Sequence, residues 1–251
     1  MGQLRASSIL LSFLCLTLPL MAVQCILVAF KLRTAHLLPW YYHRILCRLL
    51  GVTVTIDGPR PAATTLLVSN HVSWLDIPIL SSVMPLSFIA KREVGGWPLF
   101  GWMAKLQRCV FVNRDKRHST GKSSTEIADR LKVGDTLVLF PEGTSNDGHC
   151  VMPFKSSYFG AAENLDVVII PVMLAYKSNY NLPLTKRQRP SFAWYGDMDL
   201  VPHLWKALKA GPIEVVVRFH EILPKAPRKE LAKLAHITIA KSLAQTLHGR
   251  A

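Results

Sequence analysis

The N-terminal stretch between Arg5 and Lys31 contains no charged residue and is mainly apolar. A helix of about 20 apolar residues is long enough to cross the hydrocarbon core of a bilayer. The stretch is longer than the apolar part of a typical secretory signal, about 7 to 15 residues, and no Ala-x-Ala cleavage site follows it. We therefore expect residues 1–35 to form a retained membrane-anchoring helix, bent at Pro19, with a cleaved signal peptide as the alternative.

Basic and aromatic residues follow this apolar stretch. Basic residues beside a membrane helix favour the cytoplasmic side, so we expect the body of the protein on the cytoplasmic face of a membrane, such as a bacterial inner membrane. Trp40 and Tyr41 lie among the charges, as aromatic residues do at the headgroup level, and residues 37–50 are predicted to form an interfacial helix. Packing of this helix on the protein's own core is the alternative. The basic residues concerned are Lys31, Arg33, Arg44 and Arg48.

The composition narrows the class of partner. The chain has 251 residues, of which 50% are hydrophobic, and a formal net charge of +14. This combination favours anionic membrane lipids or phosphorylated ligands. Nucleic acid is not expected, because the sequence has no zinc-finger spacing, aromatic RNA-binding strand or basic helix-turn-helix pattern. The five cysteines have no paired or metal-binding spacing, which predicts reduced thiols and no metal site.

From Gly51 onward, short β-favouring runs alternate with helical patterns. This alternation predicts an α/β fold with a mostly parallel central sheet flanked by helices. We expect one domain over residues 36–251, with its core at 51–222 and an amphipathic closing helix at 228–248. The predicted strands lie at 52–56, 64–68, 86–90, 109–113, 137–140, 167–174 and 214–220, and the helices between them at 77–83, 124–132 and 156–164.

The stretch from Asn70 to Asp76 lies where a predicted strand gives way to a helix. On a continuous helix, residues five apart point about 140° away from each other, so His71 and Asp76 would not meet. Across a strand-to-helix turn they can. Asp76 would then hold one ring nitrogen of His71 and leave the other free to take a proton from a hydroxyl or thiol. Such a pair also occurs by chance, so its context must decide its meaning.

Two more blocks stand at predicted strand ends, where open α/β sheets bind ligands. Arg114 follows the strand at 109–113, and its planar fork suits phosphate. Glu142 and Gly143 form a turn after the strand at 137–140. Glycine lets backbone amides approach a ligand, and glutamate accepts hydrogen bonds from hydroxyls. Each block alone is weak, because strand-end arginines and Glu-Gly turns are common.

In this order, the blocks resemble the signature of the glycerolipid acyltransferase family, typified by 1-acyl-sn-glycerol-3-phosphate acyltransferase. That signature is an NHxxxxD block, a strand ending in arginine, an FPEGT block and a strand with a proline, here Pro171. The resemblance covers about residues 50–176, and its specific blocks are those at 70–76 and 140–144. It implies that residues 36–251 form an acyltransferase domain, which moves a fatty acyl group from a thioester to a lipid hydroxyl.

The resemblance also implies roles for individual residues. His71 would be the general base and Asp76 its orienting partner, and Arg114 would hold the phosphate of the acceptor. Lys91 and Lys105 match more loosely, at positions where relatives have basic residues near the acceptor site. The turn expected to bind the glycerol part of the acceptor consists of Glu142, Gly143 and Thr144.

Acyl carrier protein or coenzyme A is expected to bring the acyl group, with no further cofactor. Three basic residues are candidates for contact with the acidic carrier protein: Lys186, Arg187 and Arg189. Three aromatic residues are expected to line a membrane-facing entrance for acyl chains, with packing in the core as the alternative: Trp97, Phe100 and Trp102.

One departure from the family pattern concerns the acceptor. Many relatives have arginine after the threonine of the FPEGT block, whereas this chain has Ser145, and the missing cation weakens the case for a phosphate. Relatives that acylate lyso-ornithine lipid share the same framework. The first expectation is a lysophospholipid acceptor, 1-acyl-sn-glycerol-3-phosphate, with phosphatidic acid as product. A lyso-ornithine lipid O-acyltransferase is the alternative.

Two rival functions belong to other classes. A hydrolase would use His71 and Asp76 to activate water, but the chain lacks a Gly-x-Ser-x-Gly elbow. A membrane-anchored lipid-binding or carrier protein without catalysis would explain the charge and the apolar helix. It would leave the histidine and aspartate unused.

Overall fold

The computed structural model describes residues 2–61, 64–112, 120–160 and 167–249. Arg114, the end of the strand predicted at 109–113 and the part of the helix predicted at 156–164 that follows Gly160 lie outside these residues. The helices are α1 (Gly2–Ala29), α2 (Leu37–Leu50), α3 (Asp76–Val83), α4 (Phe100–Leu106), α5 (Thr120–Lys132), α6 (Leu200–Ala210) and α7 (Arg228–His248). The strands are β1 (Val52–Asp57), β2 (Thr65–Ser69), β3 (Ser87–Lys91), β4 (Val110–Val112), β5 (Leu137–Leu139), β6 (Val168–Asn179), β7 (Leu182–Pro183) and β8 (Ile213–Phe219).

The described strands form one sheet in the order β1-β8-β6-β2-β5-β3-β4, with β7 paired to β6. Neighbours from β6 to β4 run parallel, and Val68 of β2 lies opposite Pro171 of β6. Strand β8 is antiparallel to β6 and parallel to β1, so β1 and β8 form a reversed edge. The prediction of a mostly parallel sheet is confirmed, and the reversed edge is an addition to it.

Helices cover both faces of this sheet, as predicted. Strand β2 is buried along its whole length, which explains its consecutive apolar residues. Alternate side chains of a strand point to opposite faces. Leu67 therefore packs in one cluster with α2 and α3, whereas Leu66 and Val68 pack in another with α5 and α7. Apolar clusters therefore cover both faces of the sheet. The carboxyl ends of the parallel strands all lie along the same side of it.

Helices α4 and α6 and strand β7 were not predicted, and β6 runs further than expected, to Asn179. In α4, Gly101 approaches the preceding 3₁₀ turn so closely that a Cβ there would lie 2.6 Å from the Gly95 carbonyl oxygen. This close packing is a tertiary contact, and a local pattern of apolar residues does not predict it. Strand β6 is long because β8 pairs with it beyond the end of β2.

Helix α1 is the described helix that is long and apolar enough to cross a membrane, judged by length and composition. Two of its polar side chains face the protein: Thr17 bonds the Tyr42 hydroxyl at 2.9 Å, and Gln24 Nε2 donates to the Leu106 carbonyl at 2.8 Å. Large apolar side chains remain exposed along the helix, among them Leu4, Leu11, Leu18 and Ile26.

The N-terminal end of α1 also contacts the body of the protein. Arg5 donates to the carbonyl of Leu50 at 2.7 Å and to that of Leu208. Arg5 and Gln24 are separated by about 28 Å of helix at 1.5 Å per residue. Helix α1 therefore lies alongside the body over much of its length.

Candidate active site

Asn70 fixes the end of β2. Its buried side chain bonds strand β6 in both directions: Nδ2 donates to the Leu174 carbonyl at 2.9 Å, and Oδ1 accepts from the Leu174 amide at 2.8 Å. A side-chain amide thus supplies a donor and an acceptor where the backbone of β2 leaves the sheet. This contact explains an asparagine immediately before His71.

His71 and Asp76 meet across the turn between β2 and α3, as their spacing predicts. Nδ1 of His71 lies 2.7 Å from Oδ2 of Asp76. Asp76 is the first residue of α3, and the amides of Val72 and Ser73 donate to the same oxygen at 2.6 and 3.0 Å. One carboxylate oxygen therefore shapes the turn and holds the imidazole.

The second oxygen of Asp76 accepts a hydrogen bond from the hydroxyl of Tyr176 at 2.7 Å. Both residues are buried, and the four donors around the carboxylate match the acceptor capacity of its ionised form. Burial, together with the charge of Asp76, raises the pKa of Tyr176 well above its usual value, so the phenol remains a donor. Because an ionised carboxylate only accepts, Nδ1 of His71 carries a proton and Nε2 is the basic nitrogen.

The imidazole ring of His71 is held in a fixed plane. It stacks on Phe140, with ring centroids 4.2 Å apart and planes at 18°. The His71 side chain is 20% exposed, whereas that of Asp76 is fully buried. In the described part of the chain, no group forms a hydrogen bond with Nε2. The arrangement therefore provides an oriented, partly accessible base.

Glu142 supports His71 from behind. Its carboxylate is only 1% exposed, and Oε1 accepts from the His71 amide at 2.7 Å. Oε2 accepts from Asn146 Nδ2 at 2.6 Å and from the Met152 amide at 2.9 Å. Burial raises the pKa of Glu142 to about 7, although these hydrogen bonds act to lower it. This inward position corrects the predicted arrangement, because the carboxylate holds the backbone of the base instead of facing an acceptor.

Gly143 turns the chain above Glu142. Its φ of +77° is in the left-handed region, and a Cβ would lie 2.8 Å from the Tyr158 hydroxyl and 3.0 Å from Nζ of Lys155. Glycine is required here both by conformation and by space. The Gly143 amide donates to the Phe140 carbonyl at 3.3 Å, so this amide is engaged within its own turn. Lys155 is exposed and brings a cation to the turn.

Residues 145–148 and a second loop complete the frame around His71. The amide of Asn146 donates to the His71 carbonyl at 3.1 Å, and the amide of Trp194 donates to the Val72 carbonyl at 3.0 Å. Ser145 donates its hydroxyl hydrogen to the Trp194 carbonyl. The side chain of Ser145 is therefore engaged with the protein, and the predicted departure at this position has a structural role.

The other predicted site residues occupy different positions. Lys91 is exposed at the carboxyl end of β3, on the same sheet edge as His71, and Thr144 is exposed on the Gly143 turn. Lys105 is exposed on α4, with Nζ 5.9 Å from the centre of the Trp102 ring. Arg114 lies outside the described residues. Within them, no three His, Cys, Asp or Glu side chains come together as a metal site.

The aromatic residues predicted to line an entrance lie beside this frame. Trp97 and Trp102 are exposed, and Phe100 is half-buried. The Trp97 ring meets that of Trp194 edge to face, with centroids 6.3 Å apart. The exposed Trp97 thus contacts Trp194, the loop residue whose amide bonds the Val72 carbonyl. The role of these residues in acyl-chain entry stays a prediction.

Two basic residues of the surface predicted for a carrier protein, Lys186 and Arg187, are exposed. Arg189 is buried, and its Nη1 donates to the Gly148 carbonyl at 3.1 Å. Burial lowers its pKa. Arg189 therefore belongs to the loop framework, and including it in a surface patch was wrong.

Four residues contact the site without having been predicted to do so: Phe140, Asn146, Lys155 and Tyr176. Phe140 and Asn146 lie within or just after the FPEGT block, and their nearness to Glu142 was a usable signal. Tyr176 left no local signal, because the parallel pairing of β2 with β6 is what brings it to Asp76, 100 positions away in the chain.

Known proteins resemble this chain over the region that contains the blocks at 70–76 and 140–144. A family model described as Acyltransferase matches residues 51–175. The chain is 40% identical to a lyso-ornithine lipid O-acyltransferase of Brucella abortus, over 99% of this chain and 97% of that protein. It is 32% identical to a 1-acyl-sn-glycerol-3-phosphate acyltransferase of Neisseria gonorrhoeae, over 68% of this chain and 64% of that protein.

A solved structure shares the architecture. The crystal structure of the 1-acyl-sn-glycerophosphate acyltransferase from Thermotoga maritima matches with a TM-score of 0.68, covering 98% of this chain and 97% of that one. The two chains are 20% identical, so the match concerns the fold.

Proposed function

This chain belongs to the acyltransferase family, and from that membership we propose that it transfers a fatty acyl group from an acyl thioester to the free hydroxyl of a lyso-ornithine lipid. It is an O-acyltransferase acting on a lysolipid; the donor and the headgroup are the proposed part. The observation that carries the mechanism is the 2.7 Å contact between His71 Nδ1 and Asp76 Oδ2, which leaves Nε2 as the base.

In the proposed reaction, Nε2 of His71 removes the proton of the acceptor hydroxyl as its oxygen attacks the thioester carbonyl carbon. A neutral alcohol is a poor nucleophile, and a positioned base contributes about 10² to 10⁴ in rate. The imidazolium that forms is stabilised by the buried Asp76 carboxylate. The tetrahedral intermediate then breaks its carbon–sulfur bond, and the departing sulfur takes the proton from Nε2. No covalent acyl-enzyme and no cofactor is needed.

The proposed acceptor rests on two observations. The similarity to lyso-ornithine lipid O-acyltransferases extends over nearly the whole chain. In addition, Ser145 directs its hydroxyl to the Trp194 carbonyl, so position 145 presents no cation to a phosphate. We therefore propose lyso-ornithine lipid as the first candidate acceptor, whereas the sequence alone had favoured 1-acyl-sn-glycerol-3-phosphate.

Lys155 is the residue we assign to the acceptor headgroup at the Gly143 turn. Its ammonium group lies against Gly143, with Thr144 exposed beside it. An amino-acid headgroup carries a carboxylate, and a lysine ammonium binds it as a point charge. Lys91 on the same sheet edge would add a second cation, and Lys105 and Arg114 remain predicted contributors.

1-Acyl-sn-glycerol-3-phosphate is the second candidate acceptor. It is favoured by the 32% identity to enzymes named for that substrate in Neisseria species. A phosphate would use the same cations, with Arg114 as the predicted bidentate partner. The two acceptors therefore differ in headgroup and share the hydroxyl chemistry.

We further propose that α1 attaches the enzyme to the cytoplasmic face of a membrane. Its exposed apolar side chains would enter the lipid, while Thr17 and Gln24 keep its other face on the protein. Contacts with the body near both Arg5 and Gln24 favour a helix immersed along its side over one that leaves the body to cross the bilayer.

The test uses the full-length protein in neutral detergent micelles with radiolabelled acyl thioester. Acyl-carrier protein and coenzyme A thioesters are each supplied with lyso-ornithine lipid or 1-acyl-sn-glycerol-3-phosphate, and products are separated by chromatography. Faster transfer to lyso-ornithine lipid supports the proposal. Exclusive transfer to the phosphate acceptor would replace it with the second candidate.

The same assay separates the rival classes. Thioester hydrolysis at the same rate without any lysolipid would identify a hydrolase. Tight lipid binding without product from either acceptor would identify a carrier protein. The His71→Ala variant serves as the control for residual, uncatalysed transfer.

A further inference from the structure

A cavity of about 230 Å³ opens between α2, α3 and the edge strand β1, away from His71. Three arginines line it: Arg44 and Arg48 from α2, and Arg60 from the segment after β1. The cavity is far larger than the roughly 10 to 15 Å³ that one water needs. It therefore has room for a ligand of several atoms.

These three positive charges have no internal counterpart. In the described residues, none of the three arginines forms an ion pair or hydrogen bond with a carboxylate. Asp57, the acidic residue of β1, is engaged with Arg218 at 2.6 Å and is not among the residues that line the cavity. Arginine stays charged at any physiological pH, so like charges share this cavity without neutralisation.

The guanidinium groups are partly held in place. The Arg44 guanidinium lies 5.1 Å from the centre of the Trp40 ring, a cation–π contact. Trp40 is itself fixed, because its Nε1 donates to the Ser82 carbonyl at 3.1 Å. Arg48 and Arg60 are exposed like Arg44, and exposed guanidinium groups without an internal carboxylate partner can bind a phosphate group by paired hydrogen bonds.

The floor of the cavity is apolar. Val52, Val54 and Ile56 alternate along β1 and therefore share one face of the strand, which is the face that lines the cavity. Val83 at the end of α3 adds to this floor. A cationic rim over an apolar floor suits an amphiphile and not a fully soluble anion.

The exposed residues of α2 indicate that the amphiphile is a membrane lipid. Tyr41 and Ile45 are large, exposed and interleaved with Arg44 and Arg48 on this helix. Apolar and basic residues mixed in this way are typical of a helix at the level of lipid headgroups. The cavity therefore opens beside the surface on which the enzyme is proposed to sit.

We propose that this cavity, lined by Arg44, Arg48 and Arg60, binds the phosphodiester headgroup of an anionic membrane phospholipid. The bound lipid is neither substrate nor product; it ties α2, α3 and β1 to the membrane surface. Val83 and Asp76 are separated by about 10 Å along α3. The bound lipid therefore lies apart from the catalytic pair and holds the other end of this short helix at the membrane surface. The inference relies on the proposed membrane attachment and not on the proposed acceptor.

The experiment measures lipid retention by native mass spectrometry of the full chain released from neutral detergent micelles. Phosphatidylglycerol and phosphatidylcholine with identical acyl chains are the probes. The wild type is expected to retain one phosphatidylglycerol at least 10-fold more tightly than phosphatidylcholine. The variant R44Q/R48Q/R60Q should lose this preference to within twofold.

The matched control, K229Q/K233Q/K241Q, removes three exposed positive charges from α7 and should keep the preference. The single variant R60Q is a second test in case the triple variant fails to fold, because Arg60 lies outside any helix or strand. R60Q should weaken the retention of phosphatidylglycerol severalfold. Thermal unfolding in detergent identifies folded samples. Equal retention of the two lipids by the wild type, or an unchanged preference in R60Q and the folded triple variant, would overturn the proposal.

Two competitors distinguish other sources of phosphate. Neither inorganic phosphate nor coenzyme A at millimolar concentration should displace phosphatidylglycerol. Displacement by phosphate alone would assign the cavity to a free anion, and displacement by coenzyme A would assign it to the acyl donor; either result overturns the lipid assignment. Because only binding is measured, failure of the acyl-transfer proposal would leave this result intact.

Discussion

Two charged regions lie at opposite ends of α3 and differ in how their charge is compensated. At the N-terminal end, the single negative charge of Asp76 is buried and receives hydrogen bonds from four donors. At the C-terminal end, three arginines line a cavity, and no described residue forms an ion pair with them. A charge neutralised within the protein fixes geometry, whereas a charge left without an internal partner is available to an external ligand.

This difference predicts how substitutions at the two ends should behave. Removing a group at the Asp76 end should damage catalysis or stability directly, because its partners are buried and cannot turn to water. Removing a charge at the arginine end should change lipid binding and leave the chemistry intact. The following substitutions test this contrast, from the largest expected effect to the smallest.

His71→Ala should have the largest effect, because it removes the base itself. We expect kcat to fall by about 10³-fold or more, within the range reported for loss of a general base and of orientation. The exposed His248 on α7 provides a matched control, and His248→Ala should keep near-normal activity. Turnover is measured with labelled thioester in micelles. Near-normal kcat for His71→Ala would end the assignment of the base.

Asp76→Asn should follow with a loss of about 10² to 10³ in kcat. The amide removes the charge that stabilises the imidazolium, although its oxygen can still accept from the amides of Val72 and Ser73 when its NH₂ group donates to the Tyr176 hydroxyl. The protein should also lose about 1 to 3 kcal/mol of stability, because hydrogen bonds to a charged acceptor are replaced by hydrogen bonds to a neutral one. Thermal unfolding and turnover at a temperature well below unfolding separate the two effects. Loss of stability without loss of kcat would make Asp76 purely structural.

Tyr176→Phe should have a moderate effect. It removes one hydrogen bond to the carboxylate, worth about 1.5 to 3 kcal/mol for a charged acceptor, and leaves Asp76 with its other donors. We expect kcat to fall by about 3- to 30-fold, with little change in the KM of either substrate. A change confined to KM would mean that Tyr176 acts on substrate binding and not through Asp76.

Glu142→Gln should reveal a small pH-dependent contribution to stability. Burial raises the pKa of Glu142 from 4.5 to about 7. Between these values the unfolded chain ionises first, so the stability that this carboxyl contributes is complete below about pH 4.5 and is lost as the pH rises to 7. The difference in Tm, wild type minus Glu142→Gln, should therefore decrease by a few degrees between pH 5 and pH 7.5. A constant difference would show that Glu142 keeps its ordinary pKa in the folded protein.

The arginine end of α3 should give the smallest effect on the reaction. In neutral micelles, R44Q/R48Q/R60Q should keep kcat within about twofold of wild type, since the cavity lies about 10 Å along α3 from Asp76. The control K229Q/K233Q/K241Q should behave in the same way. A large loss of kcat in micelles, with the fold intact, would remove the distinction between the two ends.

The sequence predicted the elements whose signal is local. The parallel core, the closing helix and the contact between His71 and Asp76 all followed from periodicity, strand-end turns and a five-residue spacing. The inward position of Glu142 did not follow, because the FPEGT pattern does not say which side of its turn faces the core. Arg189 was misplaced for a similar reason: a basic residue in a polar segment resembles a surface residue until its loop is folded against Gly148.

The sequence by itself determined the class of fold, the apolar helix and the pairing of His71 with Asp76, since each depends on residues close together in the chain. Only the tertiary structure decided what surrounds that pair and what lies at the other end of α3. Tyr176 reaches Asp76 through the pairing of β2 with β6, and Arg60 joins Arg44 through the packing of α2 beside β1. The physical reason is that strand register and helix packing are set by the whole core, so they bring together residues that no local pattern connects.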